Sequence, residues 1–136
     1  DELLSDVKPD CGPLMGLYTG LLHTGTSLNL FVPCDMPFID SRLITQLAGV
    51  CQDEVQVVAS RHPMEGVQPF PLLCRVTACR TIGALLDQQW LALHALLEQP
   101  GSCTVRIEDA ALWRSFTNIN TATEYETLIH ETSLTH

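Results

Sequence analysis

The feature that most constrains this chain is an alternation of period. Short apolar runs bounded by turn residues follow segments whose apolar residues recur at helical spacing. Between Pro13 and Thr24, the residues Leu14, Leu17, Tyr18, Leu21 and Leu22 fall at i, i+3, i+4, i+7 and i+8, one buried face of a helix. Pro13 suits a first helical turn and Gly25 a stop. "SLNLFVP" then reads as a buried strand, "SRLITQLAGV" as a helix capped by Asp40 or Ser41, and "VQVVAS" as a second strand. "RHPMEGVQPF" reads as a loop, and "PLLCRV" as a third strand that Pro71 would restrict to an edge or a strand start. "TACRTIGALLDQQ" and "WLALHALLEQ" are helical segments that run on or break near Gln89, and "CTVRIED" is a short strand. The last element, "TATEYETLIHET", opens with Thr121 and Glu124 at capping-box spacing. Strands alternating with helices predict one α/β domain over residues 1–136 with a mostly parallel sheet.

Composition narrows the function classes. With 46% hydrophobic and 17% charged residues, the chain suits a compact domain. No apolar run approaches a membrane span, and the N-terminus lacks the pattern of a secretory signal, so no membrane partner is expected. Seven Lys and Arg stand against sixteen Asp and Glu, a net charge of −9 that argues against nucleic acid as a partner. Phosphates would have to be held by backbone amides, a divalent metal or cations outside this stretch. The cysteines at 11, 34, 51, 74, 79 and 103 form no CxxC, and they read as buried small hydrophobes in a reducing cytoplasm. The opening "DELLSDVKPD" reads like a chain entered partway through.

Three stretches carry chemistry. In "LFVPCDMPFID", Asp35 falls at the carboxyl end of a buried strand, where open α/β sheets bind ligands. A carboxylate there suits Mg²⁺, and position alone leaves open a loop aspartate that satisfies backbone amides. "CGPLMG" precedes a helix whose N-terminal amides could face a nucleotide, although helix entry and packing explain its glycines as well. In "FTNINT", Asn118 and Asn120 alternate around Ile119, so an extended segment would point both amides one way; turn chemistry is the alternative. There is no GxSxG, HExxH or P-loop pattern. Of the histidines, His94 reads as packed in an apolar helix, and His62 is the one placed in a loop near the presumed site.

Together, "DVKPDCGPLMGLYTGL", "FVPCDMPFID", "GVQPFPLLCR" and "FTNINTATEYETL" resemble, in order and spacing, the molybdenum cofactor guanylyltransferases of the MobA type. The family pattern D-x-x-P-G-x-G-P-L-x-G is similar to Asp6, Pro9, Gly12, Pro13, Leu14 and Gly16 here, with Asp10 where glycine is usual. The resemblance implies a Rossmann-like, three-layer nucleotidyltransferase fold of the nucleotide-diphospho-sugar transferase type. It implies transfer of GMP from Mg-GTP to molybdopterin or the molybdenum cofactor, releasing pyrophosphate in a cytoplasmic protein. Partners would include proteins of molybdenum cofactor synthesis and target molybdoenzymes. Carried over, Asp35 would ligate Mg²⁺, and Asp6 with the Gly12–Gly16 turn (Pro13 and Leu14 included) would shape the guanosine side. Asn118 and Asn120 would orient the reacting phosphates or the pterin. Gln68 and Pro69 would line the pterin side, with Arg106 and Arg75 as sources of charge or as surface residues. The family's opening L-A-G-G-x-S-x-R-M-G has no counterpart here, so an N-terminal part is expected to be missing and these residues alone to be inactive. Its strand would pair beside "LNLFVP", whose bare edge would favour dimerisation or poor stability. Transfer from CTP to another cofactor precursor, and an inactive scaffold domain, are the alternatives.

Overall fold

A computed structural model describes residues 12–52 and 54–118. Among the described residues, four α-helices and four strands follow in the order α1 (Gly12–His23), β1 (Leu28–Phe31), α2 (Ser41–Val50), β2 (Val57–His62), β3 (Gly66–Arg75), α3 (Cys79–Asp87), α4 (Leu93–Leu97) and β4 (Ser102–Arg106). Short 3-10 helices cover Val76–Ala78 and Ala110–Phe116. The capping box at Thr121 lies outside the described residues.

The sheet order is β1-β3-β2-β4. The strand β3 pairs antiparallel with both β1 and β2, while β2 and β4 pair parallel. The expectation of a mostly parallel sheet is corrected in this respect: β1, β2 and β4 share a direction, but β3, reversed, lies between two of them. The cause is the connection. Only three residues separate His62 from Gly66, and so short a link can join only antiparallel neighbours. The stretch read as a loop is therefore largely a hairpin. Gly66 supplies a positive φ of 85° at its turn, which costs glycine no Cβ clash. The His62 imidazole closes the turn, its Nδ1 accepting from the amides of Met64 (3.1 Å) and Glu65 (3.2 Å).

Pro71 does not confine β3 to an edge, contrary to expectation. Pairing jumps from Val58↔Leu73 to Ser60↔Gln68, so Pro69, Phe70 and Pro71 sit in a bulged stretch where ladder bonds are interrupted. There β2 pairs with neither proline, so the ladder does not call on their missing N–H groups. The break between the two later helical segments falls where expected, at Gln89, whose φ is 66°.

Two layers cover the sheet. Leu14, Leu17 and Leu21 of α1 pack with Ile82, Leu85, Leu93 and Leu96 of α3 and α4 against Val57, Ala59, Leu72 and Cys74. On the other face Leu47 of α2 meets Val58 and Leu73, and Leu43 joins Ile107 and Leu112. Gly20 lets α1 approach β1 closely; a Cβ there would lie 2.8 Å from the Phe31 ring. Helices on both faces of the sheet give the α/β sandwich expected from the alternation.

Burial corrects several single-residue readings. Cys51 and Cys74 are buried, Cys79 and Cys103 partly so, but Cys34 is exposed. Burial pushes the Cys74 thiol up to about 12, so it stays protonated and inert. His94 is exposed rather than packed, and it is Leu93, Ala95 and Leu96 that face inward. Ser60 is wholly buried in β2, and its hydroxyl lacks a hydrogen-bond partner among the described residues. Removing a buried, unpaired hydroxyl relieves its desolvation penalty. Ser60→Ala should therefore raise stability by about 1 kcal/mol, read as a higher denaturant midpoint with an unchanged slope.

Candidate functional site

Because β1, β2 and β4 run the same way, their carboxyl ends open at one edge of the sheet. The N-terminus of α1 lies at that edge too, since α1 runs back to the start of β1 through the short link 24–27. The Leu14 amide donates to the Leu91 carbonyl (3.4 Å), which brings the turn between α3 and α4 beside it. The 32–40 loop after β1, the hairpin turn, Gln68 at the start of β3 and Arg106 at the end of β4 complete this edge.

Asp35 sits in a turn of that loop, half-buried. The loop is fastened at three points. Met36 is buried and its amide donates to the Pro33 carbonyl (3.2 Å). The Phe38 ring lies under the Arg114 guanidinium, 4.4 Å from carbon to centroid. The Asp40 amide donates to Ser115 Oγ (3.0 Å), and Ser115 is buried. Asp35 is thus presented, half-buried, by a braced segment.

The brace comes from the 3-10 helix Ala110–Phe116, which the sequence reading missed. Its signals were Asp109, whose side chain accepts from the Ala111 amide (3.0 Å), and apolar Leu112 and Phe116 four residues apart. Trp113 anchors it further: its indole donates to the Ile107 carbonyl (2.9 Å), and its ring meets His62 at 4.3 Å between centroids. His62, read as a loop residue near the site, is instead a buried strand-end residue with a structural task.

Asp40 is the N-cap of α2, accepting from the Arg42 amide (2.8 Å). Hydrogen bonds from the Arg42 side chain and amide hold its carboxyl down at about 2, below the usual carboxylate range. A lowered folded-state pKa stabilises α2 at all pH values above about 4 and loses that effect as pH falls toward 2. The Asp40 carboxyl, followed by NMR, should titrate near pH 2, and Asp40→Asn should weaken the acid dependence of α2.

The other expected site residues fall as follows. Gly12, Pro13, Leu14 and Gly16 form the first turns of α1 rather than a free turn, and the Leu14 side chain is fully buried in the core. Gln68 is half-buried opposite Ser60, and Pro69 is exposed beside it. Asn118 is exposed, three residues past Ser115. Arg75 is removed from the site: it donates to the carbonyls of Val55 (2.9 Å) and Cys51 (2.7 Å) at the opposite edge. Asp6 and Asn120 lie outside the described residues. Among the described residues no three His, Cys, Asp or Glu side chains converge as a metal cage. A single half-buried carboxylate fits a hard cation that takes its other ligands from water and phosphate oxygens.

A sequence description of the MobA-like NTP transferase domain matches residues 2–103. The chain belongs to that family. Among its relatives, the molybdenum cofactor guanylyltransferase of Cupriavidus necator is 33% identical over 140 residues, covering 94% of this chain and 65% of the relative. That of Cupriavidus metallidurans is 31% identical, covering 90% and 62%. The chain thus spans somewhat less than two thirds of the length of these relatives. Molybdopterin-guanine dinucleotide biosynthesis protein A from Archaeoglobus fulgidus superposes with a TM-score of 0.68 over 90% of this chain and 63% of that one. At 19% identity this likeness speaks for the fold alone. Membership of the MobA-like NTP transferase domain family and the mixed α/β fold therefore stand, as the sequence motifs implied.

Proposed function

We propose that the protein containing this chain transfers GMP from Mg-GTP to molybdopterin or the molybdenum cofactor. A phosphate oxygen of the acceptor forms a bond to the α-phosphorus, the bond from that phosphorus to the bridging oxygen breaks, and pyrophosphate leaves. Reactions of this kind need positioning and charge neutralisation more than covalent help from side chains. Asp35 is the residue to hold Mg²⁺, which would supply charge neutralisation at the phosphates. The observation that carries the reading is the bracing of the 32–40 loop: Phe38 and Asp40 are fixed from the 3-10 helix, with Asp35 between the strand end and those anchors and only half-buried. The α1 amides at Gly12 and Pro13's neighbours offer a positive helix end at the same edge, suited to the nucleotide side. Gln68, Pro69 and Asn118 lie toward the acceptor in this arrangement, with Asp6 and Asn120 assigned from the motifs.

The test is pyrophosphate release by the full-length protein supplied with Mg²⁺, molybdopterin and either GTP or CTP. Release with GTP at more than about tenfold the CTP rate supports the assignment, a discrimination of little over one kcal/mol. Preference for CTP would redirect it to a cytidylyl transfer, and no release with either would leave the reading without support.

A further inference from the structure

The pairing of β2 with β4 places Arg61 directly beside Arg106 at the carboxyl edge of the sheet. In a parallel pair, residues in register project from the same face. Here that face is the one covered lower down by α1, α3 and α4, since Val57 and Ala59 of the same alternating set are buried there. Both arginines are exposed. Arg106 Nε is paired with Glu108, whereas the Arg61 side chain makes no hydrogen bond or ion pair among the described residues. On its other side Arg61 faces Val67 of β3, which is apolar. Nothing in the sheet requires two of seven cations to stand together in a chain of net charge −9, and like charges side by side repel. Strands about 4.8 Å apart set the two guanidinium stems at a spacing that suits a two-pronged grip on one tetrahedral oxyanion. The pair stands two and three strands from β1, about 10 and 14 Å at that spacing, at the same end of the sheet as the Asp35 loop.

We propose that Arg61 and Arg106 form a phosphate-binding fork at this edge, taking a phosphate group of one of the two substrates. The inference rests on the nucleotidyl transfer above only for the identity of those substrates; the affinity for phosphate is a property of the fork itself. The ligand chemistry has two sources, the acceptor's phosphate and the nucleotide's β- and γ-phosphates.

The probe is inorganic pyrophosphate, titrated by calorimetry into the full-length protein in EDTA and low salt, so that no metal held at Asp35 contributes. Arg61→Gln and Arg106→Gln should each weaken binding by about tenfold, as loss of one charge-assisted contact does, and the double variant should weaken it further. Arg61→Lys should restore part of the loss. Both sites are exposed, so the melting temperature should not move. In steady-state kinetics, a rise in KM for the acceptor alone assigns the fork to the acceptor, and a rise for GTP alone assigns it to the nucleotide. Either result supports the fork. Pyrophosphate affinity that is undetectable, or unchanged in the double variant, overturns it. Loss of pyrophosphate binding in the variants of a protein that transfers no nucleotide keeps the fork and removes the functional reading instead.

Discussion

Asp35→Asn should lower nucleotidyl transfer by the full-length protein by about two to three orders of magnitude, the scale typical of removing a key charge-stabilising group from a reacting phosphate. The amide keeps the size of the side chain and removes its charge. The brace should survive, because Met36, Phe38 and Asp40 make the contacts that fix the loop. Thermal unfolding should therefore match the parent within about a degree, surface changes away from specific features being worth within ±0.5 kcal/mol. Raising Mg²⁺ should recover part of the activity if the substituted site binds metal weakly rather than wrongly. Turnover equal to the parent at low Mg²⁺ would remove Asp35 from the metal assignment. A large loss of stability would mean that the carboxylate's role is structural.

The second large effect is expected at Leu43. Its side chain is fully buried and joins α2 to Ile107 and Leu112, beneath the 3-10 helix that braces the Asp35 loop. Leu43→Ala removes buried methyl groups and leaves a cavity, a change that costs about 3 kcal/mol at such sites. Denaturant unfolding reads this as a lower midpoint. The substitution also separates two elements that fix the loop, so KM for Mg²⁺ should rise in the folded fraction. Leu47→Ala makes the comparison: it is equally buried but belongs to the cluster with Val58 and Leu73. It should destabilise comparably and leave the metal dependence alone. Equal effects of both substitutions on metal dependence would argue against coupling through the brace.

Much of the architecture was legible because burial and period coincide. The cap at Asp40 and the break at Gln89 each combine a local signal with an apolar pattern. The strand at Leu28–Phe31 is present but not buried as expected: Leu28 is exposed and the other three are half-buried, because β1 is the last strand of the described sheet. The hairpin was illegible for a specific reason. Gly66, Pro69 and Pro71 look like loop chemistry, whereas the fold uses the glycine in a three-residue turn and absorbs the prolines in a bulge. Strand direction followed from that turn, so the antiparallel pairing of β3 was lost with it. The 3-10 helix at Ala110–Phe116 escaped because seven residues give too little periodicity to stand out. Arg75 looked like a free cation because its carbonyl partners belong to a segment about twenty residues earlier. At the site, the position of Asp35 was readable, but the contacts that hold its loop were not.

Those contacts also set an order of events during synthesis. Asp40 and the Ser115 hydroxyl that receives its amide are 75 residues apart, and Phe38 waits for Arg114 over a similar separation. A ribosome adding roughly 5–20 residues each second delivers the loop several seconds before its brace. Until then, α1 and β1 can form and Asp35 exists as a residue, but the segment that carries it lacks two of its three fastenings. The braced form of this loop therefore arrives late, when the 3-10 helix leaves the exit tunnel. On the proposed function, a nascent chain would not present Asp35 in its braced form before most of its sheet has been made.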